Sequence, residues 1–421
     1  MFNKLKPKSE FSRNVLTLMT GTTIAQAIPI AISPILTRIY TPEDFGVFAL
    51  FLAITGVFSV VASGRYEFAL MLPRKEEDAI NIFALGIGII VLMTSLLILV
   101  IFLFHAYIIE ILKNERIGYW LYFIPLAFFF IGLFNLLSYY NNRQKNYKTI
   151  ASSTIIKSIV LAVVQLLIGV LKTGASGLIA GQIISSLFAN MELLKNILKD
   201  KNLLSHVSRV KIIALAKKYK EFPKFQAPHA MLDAFSSYIP IYIFSAFFGL
   251  TIVGFYALST RIIFTPLMIL AGASAKVYNQ ELTQLHNAKG DTYKYTIKFL
   301  KSILKKIIIP FMIIVIFAPD IFGFFFGESW RESGVYTQIL SPWLALNVFV
   351  STISFIPSLT QMQKKAFGVG IVYVVLVSFA IIIGVHYDNL YLSLSLYSFF
   401  ASVVLIYNLI WMLQKLKGTQ L

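Results

Sequence analysis

The sequence predicts an all-α polytopic membrane protein, with about twelve transmembrane helices in two pseudo-symmetric six-helix bundles around a central cavity. Three observations carry that expectation. Of 421 residues, 57% are hydrophobic and 13% charged, where a soluble domain is about 45–50% apolar and about 25% charged. Lys and Arg fall on alternate connections between the apolar runs. A stretch from the first half of the chain also recurs in the second half.

Apolar runs of about 20 residues, the length that crosses about 30 Å of hydrocarbon, lie at 15–37, 45–72, 80–104, 119–140, 150–171, 176–195, 226–248, 251–272, 303–325, 336–360, 366–385 and 390–412. The mean hydropathy is +0.76, and no segment is left for a soluble domain. The basic stretch Met1–Asn14 precedes the first run. That run is too long for a signal-peptide core and lacks a small-residue cleavage site, so it is expected to be a retained helix.

Orientation follows from charge. With the N-terminus inside, only Arg38, Lys113, Arg116, Lys172 and Arg331 of the 37 Lys and Arg fall on outside segments, and Arg65, Lys157 and Arg261 lie within spans. All the others are cytoplasmic or at cytoplasmic span ends, as the positive-inside rule requires. Both termini are therefore expected inside. The net charge of +18 reads as topology and not as a nucleic-acid footprint. The basic segment 196–225 carries Leu203, Leu204, Val207, Val210 and Leu215 among its charges. It reads as an amphipathic surface helix, with either a gating role or that of a plain tether shielded by anionic lipid.

The repeat has an offset of 208 residues. Gly46, Ala49 and Leu50 fall on Gly254, Ala257 and Leu258, Gly64 on Gly272, Tyr40 on Phe248 and Phe48 on Tyr256. Six spans separate the copies, so both have the same orientation, and parallel halves of this kind usually enclose a site whose access alternates. The expected organisation is a bundle over 1–195, a linker over 196–225 and a second bundle over 226–421. Pro29 and Pro34 in the first helix, Pro240 in the seventh and Pro266 in the eighth are candidate kinks, because proline removes a backbone donor. The carbonyls so freed tend to face protein or a cavity.

Five ionisable residues lie within the expected spans: Arg65, Glu67, Lys157, Asp233 and Arg261. Intramembrane charge is costly and marks candidate function, although Arg65 and Lys157 are within snorkelling reach of the headgroups. On a continuous helix Arg65 and Glu67, two apart, point to different faces and do not pair. Three cations suit an anionic group such as a diphosphate, so Arg65, Lys157 and Arg261 are the candidate binding residues. Asp233 and Glu67 are candidates to carry a coupling proton or sodium ion. There is no cysteine, no P-loop and no HExxH, so no catalytic residue, metal site or cofactor is expected, and the protein is not expected to be an enzyme.

Thr37, Pro42-Glu43-Asp44-Phe45-Gly46, Gly64-Arg65-Tyr66-Glu67 and Leu72-Pro73 resemble the O-antigen type of polysaccharide flippase. So do Phe222-Pro223, Ser236-Ser237, Pro240, Ser245–Gly249, Val253–Leu258 and Arg261. That family belongs to the superfamily that includes the multidrug and toxin extruders. The resemblance implies transport of a polyprenyl-diphosphate-linked oligosaccharide across a bacterial cytoplasmic membrane, for lipopolysaccharide or another surface polysaccharide. It implies rocking halves, an H+ or Na+ gradient, and membrane lipids and polysaccharide assembly proteins as partners. The alternatives are a multidrug extruder of the same fold and a membrane polysaccharide polymerase or ligase. The short outer loops argue against the latter.

Overall fold

The computed structural model describes residues 10–199 and 205–418. The helices are α1 (Glu10–Ile39), α2 (Pro42–Ser59), α3 (Tyr66–Ala69), α4 (Glu76–Leu112), α5 (Gly118–Leu121), α6 (Ile124–Arg143), α7 (Tyr147–Gly169) and α8 (Ser176–Lys199). They continue with α9 (Arg209–Lys218), α10 (Ala227–Phe247), α11 (Leu250–Asn287), α12 (Thr292–Phe326), α13 (Arg331–Thr352), α14 (Ile356–Leu359), α15 (Gln363–His386) and α16 (Leu390–Gly418). No strand occurs among the described residues. Among the described residues twelve helices are long and apolar enough to cross a bilayer, and each matches one expected span.

Helix ends follow local chemistry. Thr41 caps α2: its side chain accepts from the Asp44 amide at 3.2 Å, while its own amide donates to Asp44 Oδ2 at 2.9 Å. Pro42 sits at the first helical position, where its missing N–H costs nothing. The Thr-Pro-Glu-Asp stretch is thus a capping box, and Glu43 also pairs with Arg116 at 2.5 Å.

Three boundaries differ from expectation. The second span stops at Ser59 instead of running to residue 72. The fourth helix runs on to Leu112 through the expected outside loop, with a backbone irregularity at Phe104 (φ −114°, ψ 19°). The expected 273–302 connection is largely helical, because α11 and α12 extend past the apolar windows. Their extensions are joined by Tyr278 and Thr296, whose hydroxyls are 2.8 Å apart, and by stacking of Tyr278 on Tyr295.

The chain divides into two compact units, Met1–Val253 and Gly254–Leu421. In the first, α7 and α8 pack on each other and α1 on α7. Tyr40 donates a buried hydrogen bond to the Gln165 carbonyl at 2.6 Å. Gly132 lets α6 approach Ala62, and Gly86 lets α4 approach Leu136. The surrounding core holds Tyr66, Leu70, Ile82, Phe128 and Tyr140. This unit also contains α10, which the repeat assigns to the second half of the chain. Gly56 of α2 leaves room for the Tyr238 ring, since a Cβ there would lie 2.7 Å from its hydroxyl.

α9 is docked on the first unit. Leu215 is buried in the core, Tyr66 donates to the Ala216 carbonyl at 2.9 Å, and Lys211 pairs with Glu77 at 2.6 Å. Just before α9, Asn81 donates to the His206 carbonyl and accepts from the Ser208 amide. Val210 and Ile213 stay exposed. Leu203 and Leu204 lie outside the described residues. In the second unit Ser259 donates to the Ser333 carbonyl at 2.6 Å. Gly334 and Gly384 allow the close approach of α13 to Ala318 and of α15 to Ser393.

Candidate functional site: a buried ion pair in a helix break

Residues 60–65 form turns between α2 and α3. Gly64 (φ 61°) and Arg65 (φ 64°) are both left-handed. Glycine adopts that region freely, whereas a side-chain-bearing residue there costs about 1–2 kcal/mol. The two left-handed residues interrupt the helix, so the helical rule that separates positions i and i+2 no longer applies.

The structure therefore corrects the expectation that Arg65 and Glu67 do not pair. Arg65 Nη1 lies 3.6 Å from Glu67 Oε1 and 3.5 Å from the Val60 carbonyl. The guanidinium sits 4.7 Å from the centre of the Phe68 ring, a cation–π distance. Ser63 donates its hydroxyl to the other Glu67 oxygen. The Glu67 side chain is 6% exposed and that of Arg65 23%. Burial pushes the Glu67 carboxyl above the usual carboxylate range, against the opposing pull of Ser63 and Arg65. Arg65 Nε has no hydrogen-bond partner among the described residues. The cluster thus presents a cation with spare donor capacity beside a carboxyl poised toward its protonated form.

The other sequence-predicted residues are not part of this pair. Lys157, half-buried on α7, holds its ammonium 4.6 Å from the Phe134 ring centre. Asp233 is exposed on α10, and its backbone carbonyl accepts from Ser237 at 3.0 Å. Among the described residues neither Lys157 nor Asp233 forms an ion pair. Arg261 is half-buried on α11 in the second unit, one turn before Phe264, which stacks on Trp343. α1 continues through Pro29 and Pro34, whose carbonyls accept from Ser33 at 2.6 Å and from Arg38 at 2.9 Å. α10 and α11 likewise continue through Pro240, which is buried, and Pro266, which is exposed.

Sequence reasoning missed two features. Arg143 donates to the Leu70 carbonyl at 2.7 Å and pairs with Glu76 at 2.9 Å, fastening the segment after α3 to α6. A cavity of 590 Å³ lies between α2, α4 and α10, walled almost wholly by aliphatic and aromatic side chains. None of the predicted charged residues lines it. Its only advance signal was the apolar character of all three helices, which membrane burial explains equally well.

The family model described as "Polysaccharide biosynthesis protein" matches residues 35–335. The chain belongs to that family. No curated protein sequence matches it. Among solved structures, the fold is shared with the lipid II flippase MurJ in an inward closed conformation, at a TM-score of 0.69 and 14% identity over 97% of this chain and 90% of that one. It is shared also with an inward-facing multidrug resistance transporter of the MATE family, MOP superfamily, at 0.65 and 14% identity over 95% and 96%. A MOP superfamily transporter from Pyrococcus furiosus gives 0.61 and 12% identity over 96% of both chains. At these identities the likeness concerns the fold. The polysaccharide family member thus carries the fold of flippases and transporters, as a multi-pass membrane protein.

Proposed function

We propose that the protein is a flippase that carries a polyprenyl-diphosphate-linked oligosaccharide from the inner to the outer leaflet of a bacterial cytoplasmic membrane. The O-antigen unit of lipopolysaccharide is one such substrate. The single observation behind this reading is membership of a polysaccharide biosynthesis family in a chain with a transporter fold. A protein named as a lipid II flippase shares that fold. In this reading the segments 1–195 and 226–421 alternate access, joined by the basic segment 196–225, and both termini face the cytoplasm.

Arg65 and Lys157 in the first unit, and Arg261 in the second, are each candidate contacts of the diphosphate. Glu67, buried beside Arg65, exchanges a proton or sodium ion as the guanidinium turns from carboxylate to phosphate, and Asp233 is the second carrier. Charge-assisted contacts of arginine to phosphate supply the selectivity. Membrane lipids and polysaccharide assembly proteins are its partners. Likeness to a multidrug transporter keeps one other reading open, export of small cations.

Complementation tests the choice. Bacteria lacking their own O-antigen flippase are given this chain, and surface polysaccharide is scored at matched expression. Restoration that is lost in Arg65→Ala and Arg261→Ala is the expected result. Drug resistance without restored polysaccharide supports the exporter instead.

A further inference from the structure

We propose that the cavity between α2, α4 and α10 is a binding slot for the isoprenoid chain of a polyprenyl phosphate or diphosphate, with Lys113 at its mouth facing the phosphate. The inference deepens the flippase reading and rests on it.

The cavity has a floor and a rim. Val57, Ile101, Leu121 and Ile124 at the floor are no more than 4% exposed, while Phe235 and Phe247 at the rim are about half exposed. A cavity holds water only where polar groups can bond it, and the phenol of Tyr242 is the only side-chain polar group in this wall. The occupant must therefore be apolar. The volume, 590 Å³, falls in the range of about 300–1,000 Å³ typical of ligand sites.

Its shape suits a long chain. The α4 wall runs from Leu97 to Leu112, about 22 Å at 1.5 Å per residue. A polyprenyl phosphate, the lipid class of the flippase reading, has one long hydrocarbon chain with its phosphate at one end, which matches a long apolar wall that ends beside a cation.

Charge marks one end. Lys113 follows α4 in a left-handed conformation (φ 49°), is exposed, and holds Nζ 4.4 Å from the centre of the Phe247 rim ring. It makes no ion pair among the described residues, whereas nearby Arg116 is taken by Glu43. A chain lying in the slot puts its phosphate beside this cation. The charge distribution puts this end of α4 outside, so the slot receives the lipid after translocation.

The test uses the full-length protein in nanodiscs and a benzophenone-bearing polyprenyl diphosphate. After irradiation, labelled peptides are mapped by mass spectrometry, with unlabelled polyprenyl phosphate, polyprenol or phosphatidylglycerol as competitors. The expected result is label on α4 and α10, displaced by polyprenyl phosphate and far less by phosphatidylglycerol. Ala246→Trp, which fills the slot, is expected to cut labelling by about tenfold or more. Rim variant Ile111→Trp, at a 58% exposed position that tolerates substitution, is expected to do the same. Lys113→Gln is expected to weaken competition by polyprenyl phosphate and leave that by polyprenol unchanged. Equal displacement by phosphatidylglycerol, label confined to other helices, or labelling indifferent to both tryptophans would overturn the proposal. Polysaccharide restoration is scored in parallel. A chain that restores polysaccharide without slot labelling refutes the slot alone. Slot labelling without restoration refutes the flippase reading and leaves a polyprenyl-lipid site.

Discussion

Removing one member of the Arg65–Glu67 pair leaves the other without its counter-charge, buried in the case of Glu67 and partly exposed in that of Arg65. At the observed 3.6 Å, an effective dielectric of about 20 gives an attraction of about 4–5 kcal/mol before desolvation is subtracted. Breaking a buried pair by deleting one partner costs about 3–5 kcal/mol. Glu67 escapes part of that by protonating, and Arg65 keeps some solvent access. Arg65→Ala is therefore expected to destabilise the first unit by about 1–3 kcal/mol and to lower Tm by several degrees. Glu67→Gln should cost less, because an amide oxygen still accepts from Ser63. The double variant should be about as stable as Glu67→Gln alone. The assay is a double-mutant cycle on thermal unfolding in detergent, followed by tryptophan fluorescence. Losses that simply add would show the pair to be uncoupled and refute the reasoning.

The same pair gives a pH dependence of definite sign. Because the folded-state pKa of Glu67 is raised, the folded state binds more protons than the unfolded state. Stability falls as pH rises from the ordinary carboxylate value through the raised one, then levels. In Arg65→Ala the counter-charge is gone, so the slope should steepen and extend to higher pH. A variant profile parallel to the wild type would contradict this.

Three further outcomes are expected. Gly46→Ala puts a Cβ 1.8 Å from the Leu250 carbonyl oxygen, so backbone must shift, at about 1–3 kcal/mol; a Tm within a degree of wild type would refute the contact. Thr41→Ala removes the α2 cap, at about 1 kcal/mol, with Thr41→Ser restoring most of it in the same melt. Tyr40→Phe leaves the Gln165 carbonyl without its 2.6 Å donor, at about 0.5–1.5 kcal/mol, and faster amide exchange in α7 would report it.

Hydropathy made all twelve spans legible, because a bilayer demands helices of a fixed minimum length. It was blind where backbone angles and not apolarity decide. Val60, Val61 and Ala62 read as a continuation of the second span, yet Gly64 and Arg65 turn left-handed and end it. That one misreading hid the ion pair, since the argument against pairing assumed a continuous helix. The extensions of α11 and α12 were missed for the opposite reason. Charged but helical sequence fails an apolar window, although Tyr278 and Thr296 bury a hydroxyl pair between the two helices. The placement of α10 beside α2 depends on Gly56 facing Tyr238, a tertiary match with no local signature. The charged residues themselves could be picked from sequence as charges in or beside apolar runs, although Arg65 and Glu67 lie past the end of the second span at Ser59 and not within it as expected. Which of them touch could not.

The most direct test of the account is translocation by the purified protein. It would be reconstituted into proteoliposomes with a polyprenyl-diphosphate oligosaccharide, and glycan exposed on one face scored by an impermeant lectin or glycosidase. The account predicts glycan exposure above that of protein-free vesicles, quickened by an imposed proton or sodium gradient and abolished in Arg65→Ala. Glycan that stays inaccessible while the same vesicles exchange small organic cations for protons would contradict it.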